Sequence, residues 1–311
     1  MTLLSVEDLK VHFDIRGGLF GTKKGSIKAV DGISFSIEQG QTYGLVGESG
    51  SGKTTSGRAI IGLNNITSGK VMFGNQDLAQ KNRKDFVDVR RDIQMIFQDP
   101  YSSLNPRKRI LDIIAEPLRN FERLSPIEEK RRVRELLEQV GLSSETIYKY
   151  PHEFSGGQRQ RIGIARAIAL KPKLIIADEP VSALDLSVQA QVLNFLRELQ
   201  QELKLTYLII SHDLGIIRHM CDHIGIMYKG RYVEQGTTSD IFNNPQHIYT
   251  KRLITAIPDI DPLQRARQSE LRAAAKKEYD SLYKSQFDEE GLAFPLRSIS
   301  TTHKAALPEG G

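Results

Sequence analysis

Gly47-Glu48-Ser49-Gly50-Ser51-Gly52-Lys53-Thr54 sets two glycines five positions apart, followed by a lysine and a hydroxyl residue. That order of residue types suits phosphate chemistry. Glycines let backbone N–H groups turn inward around an anion, and a helix starting at Thr55 adds a favourable dipole. Lys53 offers a point charge to the β- and γ-phosphates of a nucleoside triphosphate, and the Thr54 hydroxyl is an oxygen ligand for Mg2+. Asp178 follows the apolar run Leu174-Ile175-Ile176-Ala177, so its carboxylate emerges at a strand tip as a second hard donor for Mg2+. Glu179 beside it can point at the γ-phosphate and activate a water. The same pair of carboxylates could instead cap the next helix. Ser155-Gly156-Gly157-Gln158 also precedes a helix and offers a second set of backbone donors for anions. Taken alone it is an ordinary helix cap, and one nucleotide site needs only one such loop.

The elements that must position these residues follow from periodicity. Thr42 to Val46 is a short buried strand entering the glycine loop, and Thr55 to Leu63 a helix leaving it. Leu4, Val6, Leu9, Val11 and Phe13 alternate as one face of a strand, and Arg16 to Lys28, rich in glycine and lysine, is expected as a surface loop. Val30, Ile33, Phe35 and Ile37 form the next strand, and Ser68 to Gly74 another; together these make a small antiparallel sheet. Ile93 to Phe97 is an apolar strand running into Gln98. Ile110 to Val140 reads as helices, with Ser125-Pro126 as a start and Gly141 as a stop. Leu174 to Asp178 and Thr206 to Ser211 suit central strands buried on both faces, with a helix from Val188 to Leu203 between them. Strands alternating with helices around a phosphate loop indicate an α/β core with a parallel sheet. In such sheets ligands bind at the carboxyl ends of strands, and Gln98, Asp178-Glu179 and Ser211-His212 all lie at such ends. Beyond Pro258, Leu263 to Lys284 is expected as a charged surface helix and Asp288 to Gly311 as an irregular tail.

Composition bounds the function class. With 311 residues, 39% hydrophobic and 26% charged, the chain is sized for one large domain plus an extension, or two modest domains. No run of eighteen apolar residues appears, and the first residues lack the pattern of a secretory signal. A single Cys221 excludes intrachain disulfides and any metal or iron–sulfur site built from four cysteines, which fits a reducing cytosol. The net charge of +5 is spread along the chain without a basic, aromatic-interleaved face, so nucleic acid is not an expected partner.

Across residues 3–258 these motifs resemble, in order, the nucleotide-binding subunits of ATP-binding-cassette transporters. The resemblance takes in the P-loop Gly47–Thr54, Gln98 of the Q-loop, the signature Ser155-Gly156-Gly157-Gln158 and the Walker B residues Asp178-Glu179. It extends to Ser182-Ala183-Leu184-Asp185 of the D-loop and the switch residue His212. It implies a RecA-like P-loop NTPase core with a parallel sheet, an antiparallel β subdomain, and a helical subdomain inserted at about 101–165. The ATPase domain would span 1–258, and 259–311 would be a C-terminal extension. It implies ATP and Mg2+, the metal held by Thr54, Gln98 and Asp178. Glu179 would be the catalytic base, Gln98 would contact Mg2+ or the attacking water, and His212 would hold the γ-phosphate. Phe13 would stack on adenine, unless it is core or Phe20 takes that place. It also implies a head-to-tail dimer in which Ser155 to Gln158 and Asp185 serve the nucleotide of a second cassette.

Phe97 to Arg107, Tyr150 to Ser155 and Asn244 to Thr250 are similar to the oligopeptide/dipeptide importer branch, on the side of its second ATPase subunit. Two features differ: Phe154 replaces the usual leucine of the signature and Ile248 a usual proline. The cysteine cluster that many relatives carry in the C-terminal extension is absent. The branch implies a peripheral subunit at the cytoplasmic face of the membrane. Its expected partners are a second, paralogous ATPase, two transmembrane permease subunits and, indirectly, an extracellular peptide-binding protein. Import of a dipeptide or nickel, and a soluble cassette protein outside transport, are the alternatives.

Overall fold

A computed structural model describes residues 1–17, 22–80, 86–257 and 265–308. In chain order the strands are β1 (Thr2–Gly17), β2 (Thr22–Glu38), β3 (Thr42–Val46), β4 (Ser68–Phe73), β5 (Gln76–Asp77), β6 (Ile93–Ile96), β7 (Leu174–Asp178), β8 (Thr206–Ser211), β9 (His223–Tyr228), β10 (Arg231–Thr237), β11 (Leu296–Ser298) and β12 (Lys304–Ala306). The helices are α1 (Lys53–Ile60), α2 (Phe86–Asp92), α3 (Pro100–Ser103), α4 (Ile110–Phe121), α5 (Pro126–Gln139), α6 (Gly156–Ile168), α7 (Leu186–Leu203), α8 (Leu214–Met220), α9 (Thr238–Asn243), α10 (Ile248–Thr255) and α11 (Arg265–Gln286). They divide into two compact units: Met1–Glu38 with Thr42–Gln80 and Ile209–Gly311, and Gln39–Gln41 with Lys81–Leu208.

In the first unit, β2-β1-β4-β5 form an antiparallel sheet with Leu4, Val6, Leu9 and Val11 of β1 buried. The expected surface loop from Arg16 to Lys28 is largely strand instead. β1 and β2 stay paired through Phe13↔Ile27 and Ile15↔Gly25 out to Gly17↔Thr22. The ladder of backbone hydrogen bonds continues past the core, so Ile15 and Ile27 are exposed on a solvated arm that apolar patterning does not reveal. Phe20 lies outside the described residues.

The buried strand β3 pairs in parallel with β9, from Tyr43↔His223 to Val46↔Ile226. Antiparallel pairings then join β9 to β10, β10 to β12 and β12 to β11. The tail expected to be irregular therefore supplies two strands. Ala305 and Ala306 are buried, and the buried His303 ring lies 2.7 Å from the buried Glu234 carboxylate of β10. Helix α11 is present but is more than a charged surface helix. Its Tyr279 is buried against Tyr249, Tyr283 and Phe287. The expected boundary at Pro258 lies outside the described residues.

His247 precedes α10 and is fully buried; its ring Nδ1 accepts the Tyr249 N–H at 3.1 Å and its backbone N–H donates to Glu234 at 3.0 Å. Burial drives the ring's pKa down to about 4. A base held neutral in the fold contributes stability above its unfolded pKa of about 6.5, and loses it as pH falls toward 4. We expect a few kcal/mol of unfolding free energy to disappear across that window. Denaturant titrations at pH 7 and pH 4.5 check this, with the difference reduced in His247→Asn.

In the second unit β6 and β7 pair in parallel, from Ile93↔Leu174 to Ile96↔Ala177, and β7 is wholly buried. Helices α4, α5 and α6 pack on one another. Ser125 caps α5 by accepting the Glu128 N–H, Pro126 occupies its first turn, and Gly141 stops it in the left-handed region at φ +70°. The residues of β8 fall on both sides of the boundary between the units.

Candidate functional site

In the first unit, the glycine loop leaves β3 and enters α1 without slack. A Cβ on Gly47 would lie 2.2 Å from the Met227 carbonyl oxygen, and one on Gly52, at φ +103°, would lie 2.3 Å from that of Ala29. Both positions therefore exclude any side chain, and the loop is pressed against β9 and β2. No side chain caps α1 and no acidic residue occupies its first turn, so the positive end of its dipole is not neutralised by a side chain of its own first turn, which suits an anion there. Lys53 is only 5% exposed; its ammonium donates to the carbonyls of Gly47 at 2.7 Å and Glu48 at 2.9 Å. Ser51 Oγ is buried inside the loop with no hydrogen-bond partner among the described residues. An orphaned hydroxyl costs roughly 1–3 kcal/mol, and a phosphate oxygen in the cradle relieves that cost.

Glu48, inside the loop, is held from elsewhere in the same unit. Its N–H donates to the Tyr249 hydroxyl at 3.2 Å, and its carboxylate pairs with Arg252 at 3.1 Å. Sequence reasoning treats Tyr249 only as part of a branch motif and passes over Arg252; no local spacing marks either. Also in this unit, His212 is exposed just after β8, and the Ser211 hydroxyl accepts the Asp213 N–H at 2.9 Å in the turn that carries it. Phe13 is 43% exposed on β1, so core packing is not its role.

In the second unit, the parallel register of β6 and β7 matches Ile96 with Ala177, so the chain two residues on brings Gln98 level with Glu179. The Gln98 amide donates to Glu179 Oε2 at 2.8 Å. Asp178 is buried at the strand tip, whereas Glu179 is half-buried and has turned out of the strand at φ +47°. A non-glycine residue in the left-handed region costs roughly 1–2 kcal/mol, so the fold holds this carboxylate where the chain does not favour it. The pair thus offers an oriented carboxylate able to accept a proton from water.

Ser155 and Gln158 form a capping box on α6: Ser155 Oγ accepts the Gln158 N–H at 3.3 Å and the Gln158 side chain accepts the Ser155 N–H at 3.0 Å. The cap and a role toward an anion are compatible, because Ser155 stays exposed at the helix N-terminus. A Cβ on Gly157 would meet Val188 Cγ1 at 2.5 Å, so glycine sets how closely α6 approaches α7. Asp185 precedes α7, exposed and without a side-chain cap bond, beside Leu186, which is exposed as well.

Comparison with known proteins gives the family. Residues 30–182 match the ABC transporter family and residues 233–283 the oligopeptide/dipeptide transporter C-terminal region. The chain is 53% identical over 309 residues to the oligopeptide transport ATP-binding protein OppF of Lactococcus lactis, covering 99% of this chain and 97% of that one. It is 52% identical over 273 residues to OppF of Salmonella typhimurium, covering 86% and 82%. Among solved structures, a dimeric ATP-binding cassette in a post-hydrolysis state bound to ADP and Pi superposes with a TM-score of 0.67 at 26% identity, covering 76% of this chain and 98% of that one. The cbiO1 protein of Clostridium perfringens, part of an ABC transporter complex, gives 0.68 at 28% identity, covering 88% and 99%.

Proposed function

The chain belongs to the ABC transporter family of ATPases, and from that premise we propose that it powers the import of oligopeptides by binding and hydrolysing ATP. The observation that carries the peptide reading is the 53% identity to an oligopeptide transport subunit over 99% of the chain. The match of residues 233–283 to the peptide-transporter C-terminal region supports it independently of the ATPase motifs.

The loop Gly47, Glu48, Ser49, Gly50, Ser51, Gly52, Lys53, Thr54 and Thr55 takes the triphosphate; the orphaned Ser51 hydroxyl and the Lys53 ammonium held inside the loop support that reading. Phe13 receives the adenine. The donor set Thr54, Gln98 and Asp178 consists of oxygen-bearing side chains, the class that Mg2+ prefers. When bound, Mg2+ supplies neutralising charge on the phosphate oxygens. Water adds to the γ-phosphorus, its proton passes to Glu179, and the bond to the β-phosphate oxygen of ADP breaks. The Gln98 amide, 2.8 Å from one oxygen of Glu179, holds that carboxylate. His212 contacts the γ-phosphate, and Ser155, Gly156, Gly157, Gln158 and Asp185 close over the nucleotide of a second cassette.

Residues 1–258 form the ATPase domain, with a helical subdomain inserted at about 101–165 whose segment 101–150 receives the membrane subunits, and 259–311 form an extension. Among the described residues no helix is long and apolar enough to cross a membrane. We place the subunit peripherally, on the cytoplasmic face, beside a paralogous ATPase and two permease subunits. An extracellular binding protein delivers the peptide.

Uptake of a labelled tetrapeptide by cells lacking this chain is the test. We expect loss of uptake, restored by the native chain. Unchanged tetrapeptide uptake together with lost nickel or dipeptide uptake would replace the substrate assignment.

A further inference from the structure

We propose that the C-terminal region of this chain sets the shape of its own phosphate loop, with Tyr249, Arg252 and Tyr279 as positioning residues for ATP. The inference rests on the ATP reading above and adds the device that tunes it.

Glu48 is gripped at both its backbone and its side chain from α10. The Tyr249 hydroxyl accepts its N–H at 3.2 Å, which fixes the direction of the peptide plane leading into the loop. Arg252, one turn along α10 from Tyr249, pairs with its carboxylate at 3.1 Å. The carbonyl of the same Glu48 accepts the Lys53 ammonium at 2.9 Å. A shift of Glu48 therefore moves an acceptor that orients the lysine meant for the phosphates.

Neither holding residue stands alone. The Arg252 guanidinium lies 4.6 Å from the centroid of the Tyr279 ring on α11, a cation–π distance. Tyr249 lies 4.9 Å from Tyr228 and 6.4 Å from Tyr279 between ring centroids, inside the aromatic cluster completed by Tyr283 of α11 and by Phe287 just after it. Arg272 of α11 donates to the Thr255 carbonyl at 3.1 Å and the Ile257 carbonyl at 3.4 Å, pinning α11 to the end of α10. The half-exposed Arg252–Glu48 pair contributes little through charge alone. Its effect is geometric: Tyr279 restricts the planar guanidinium, and the guanidinium restricts Glu48. Preorganisation of this kind acts on affinity by removing an ordering cost at binding.

The test measures Mg-ATP affinity and melting temperature on the full-length chain. Tyr249→Phe, which keeps the ring and removes only the acceptor oxygen, and Arg252→Gln should each weaken Mg-ATP binding about three- to tenfold, with melting temperatures near native. Arg252→Lys keeps the charge without the planar fork and should weaken binding likewise. In a cycle with Glu48→Gln, the double variant with Arg252→Gln should bind no more weakly than the weaker single variant. In the assembled transporter the same variants should raise KM for ATP and leave kcat at saturation near native. Native affinity in folded Tyr249→Phe and Arg252→Gln, or losses that add fully in the cycle, would overturn the proposal. A native chain that fails to bind Mg-ATP would overturn the ATP reading itself, before any variant is compared.

Discussion

Glu179→Gln is expected to lower ATP hydrolysis by the assembled transporter about 10²- to 10⁴-fold, the usual effect of removing a placed general base. The substitution keeps the length and polarity of the side chain, and its amide oxygen can still accept from Gln98, now at 2.8 Å from the carboxylate. What disappears is the ability to take a proton from water. Mg-ATP affinity should stay within about threefold of native, because the phosphate loop is untouched. Phosphate release and nucleotide binding, measured separately, distinguish lost chemistry from lost binding. Hydrolysis within about threefold of native would remove Glu179 from the mechanism. Its backbone gives a second control. At φ +47° the native glutamate carries strain that glycine relieves, so Glu179→Gly should be equally inactive yet no less stable than native. A variant both dead and unfolded would point instead to a structural carboxylate.

The parts of the site legible in the sequence are those whose geometry is written in a few adjacent residues. Gly47 to Thr54 specify their own turn, since only glycine fits against the Met227 and Ala29 carbonyls, and the strand before them is buried throughout. The closeness of Gln98 and Glu179 is also implicit, because two apolar strands paired in parallel bring their carboxyl ends level. Illegible features depend on partners distant in the chain. The strands Leu296–Ser298 and Lys304–Ala306 are three residues each and have no periodicity of their own; pairing with β10 and the His303–Glu234 contact specify them. The arm beyond Phe13 reads as loop because it is rich in glycine and lysine, while its backbone simply continues the β1–β2 ladder out to Gly17↔Thr22. Tyr249 and Glu48 are 201 positions apart, and no local pattern in either segment announces the hydrogen bond between them.

Lys53→Ala is expected to weaken Mg-ATP binding about 10- to 100-fold, the effect of deleting a hydrogen-bonding charged group worth about 1.5–3 kcal/mol. The ammonium is nearly buried and is held inside the loop by the carbonyls of Gly47 and Glu48, which places the charge where the loop would receive a phosphate. The loss should depend on the ligand: large for ATP and ADP, which present a β-phosphate, and small for AMP, which does not. Lys53→Arg should not rescue, because a forked guanidinium has a different shape from a point charge. Lys53→Met separates charge from packing. It retains an unbranched apolar stem in place of the lysine methylenes, so the fold should persist while affinity falls as in alanine. Titration calorimetry with ATP, ADP and AMP on each folded variant reads all of these. Equal losses for AMP and ATP would mean that the lysine shapes the loop rather than meeting the β- and γ-phosphates. Unchanged ATP affinity in a folded Lys53→Ala would remove the phosphate contact on which the ATPase mechanism depends.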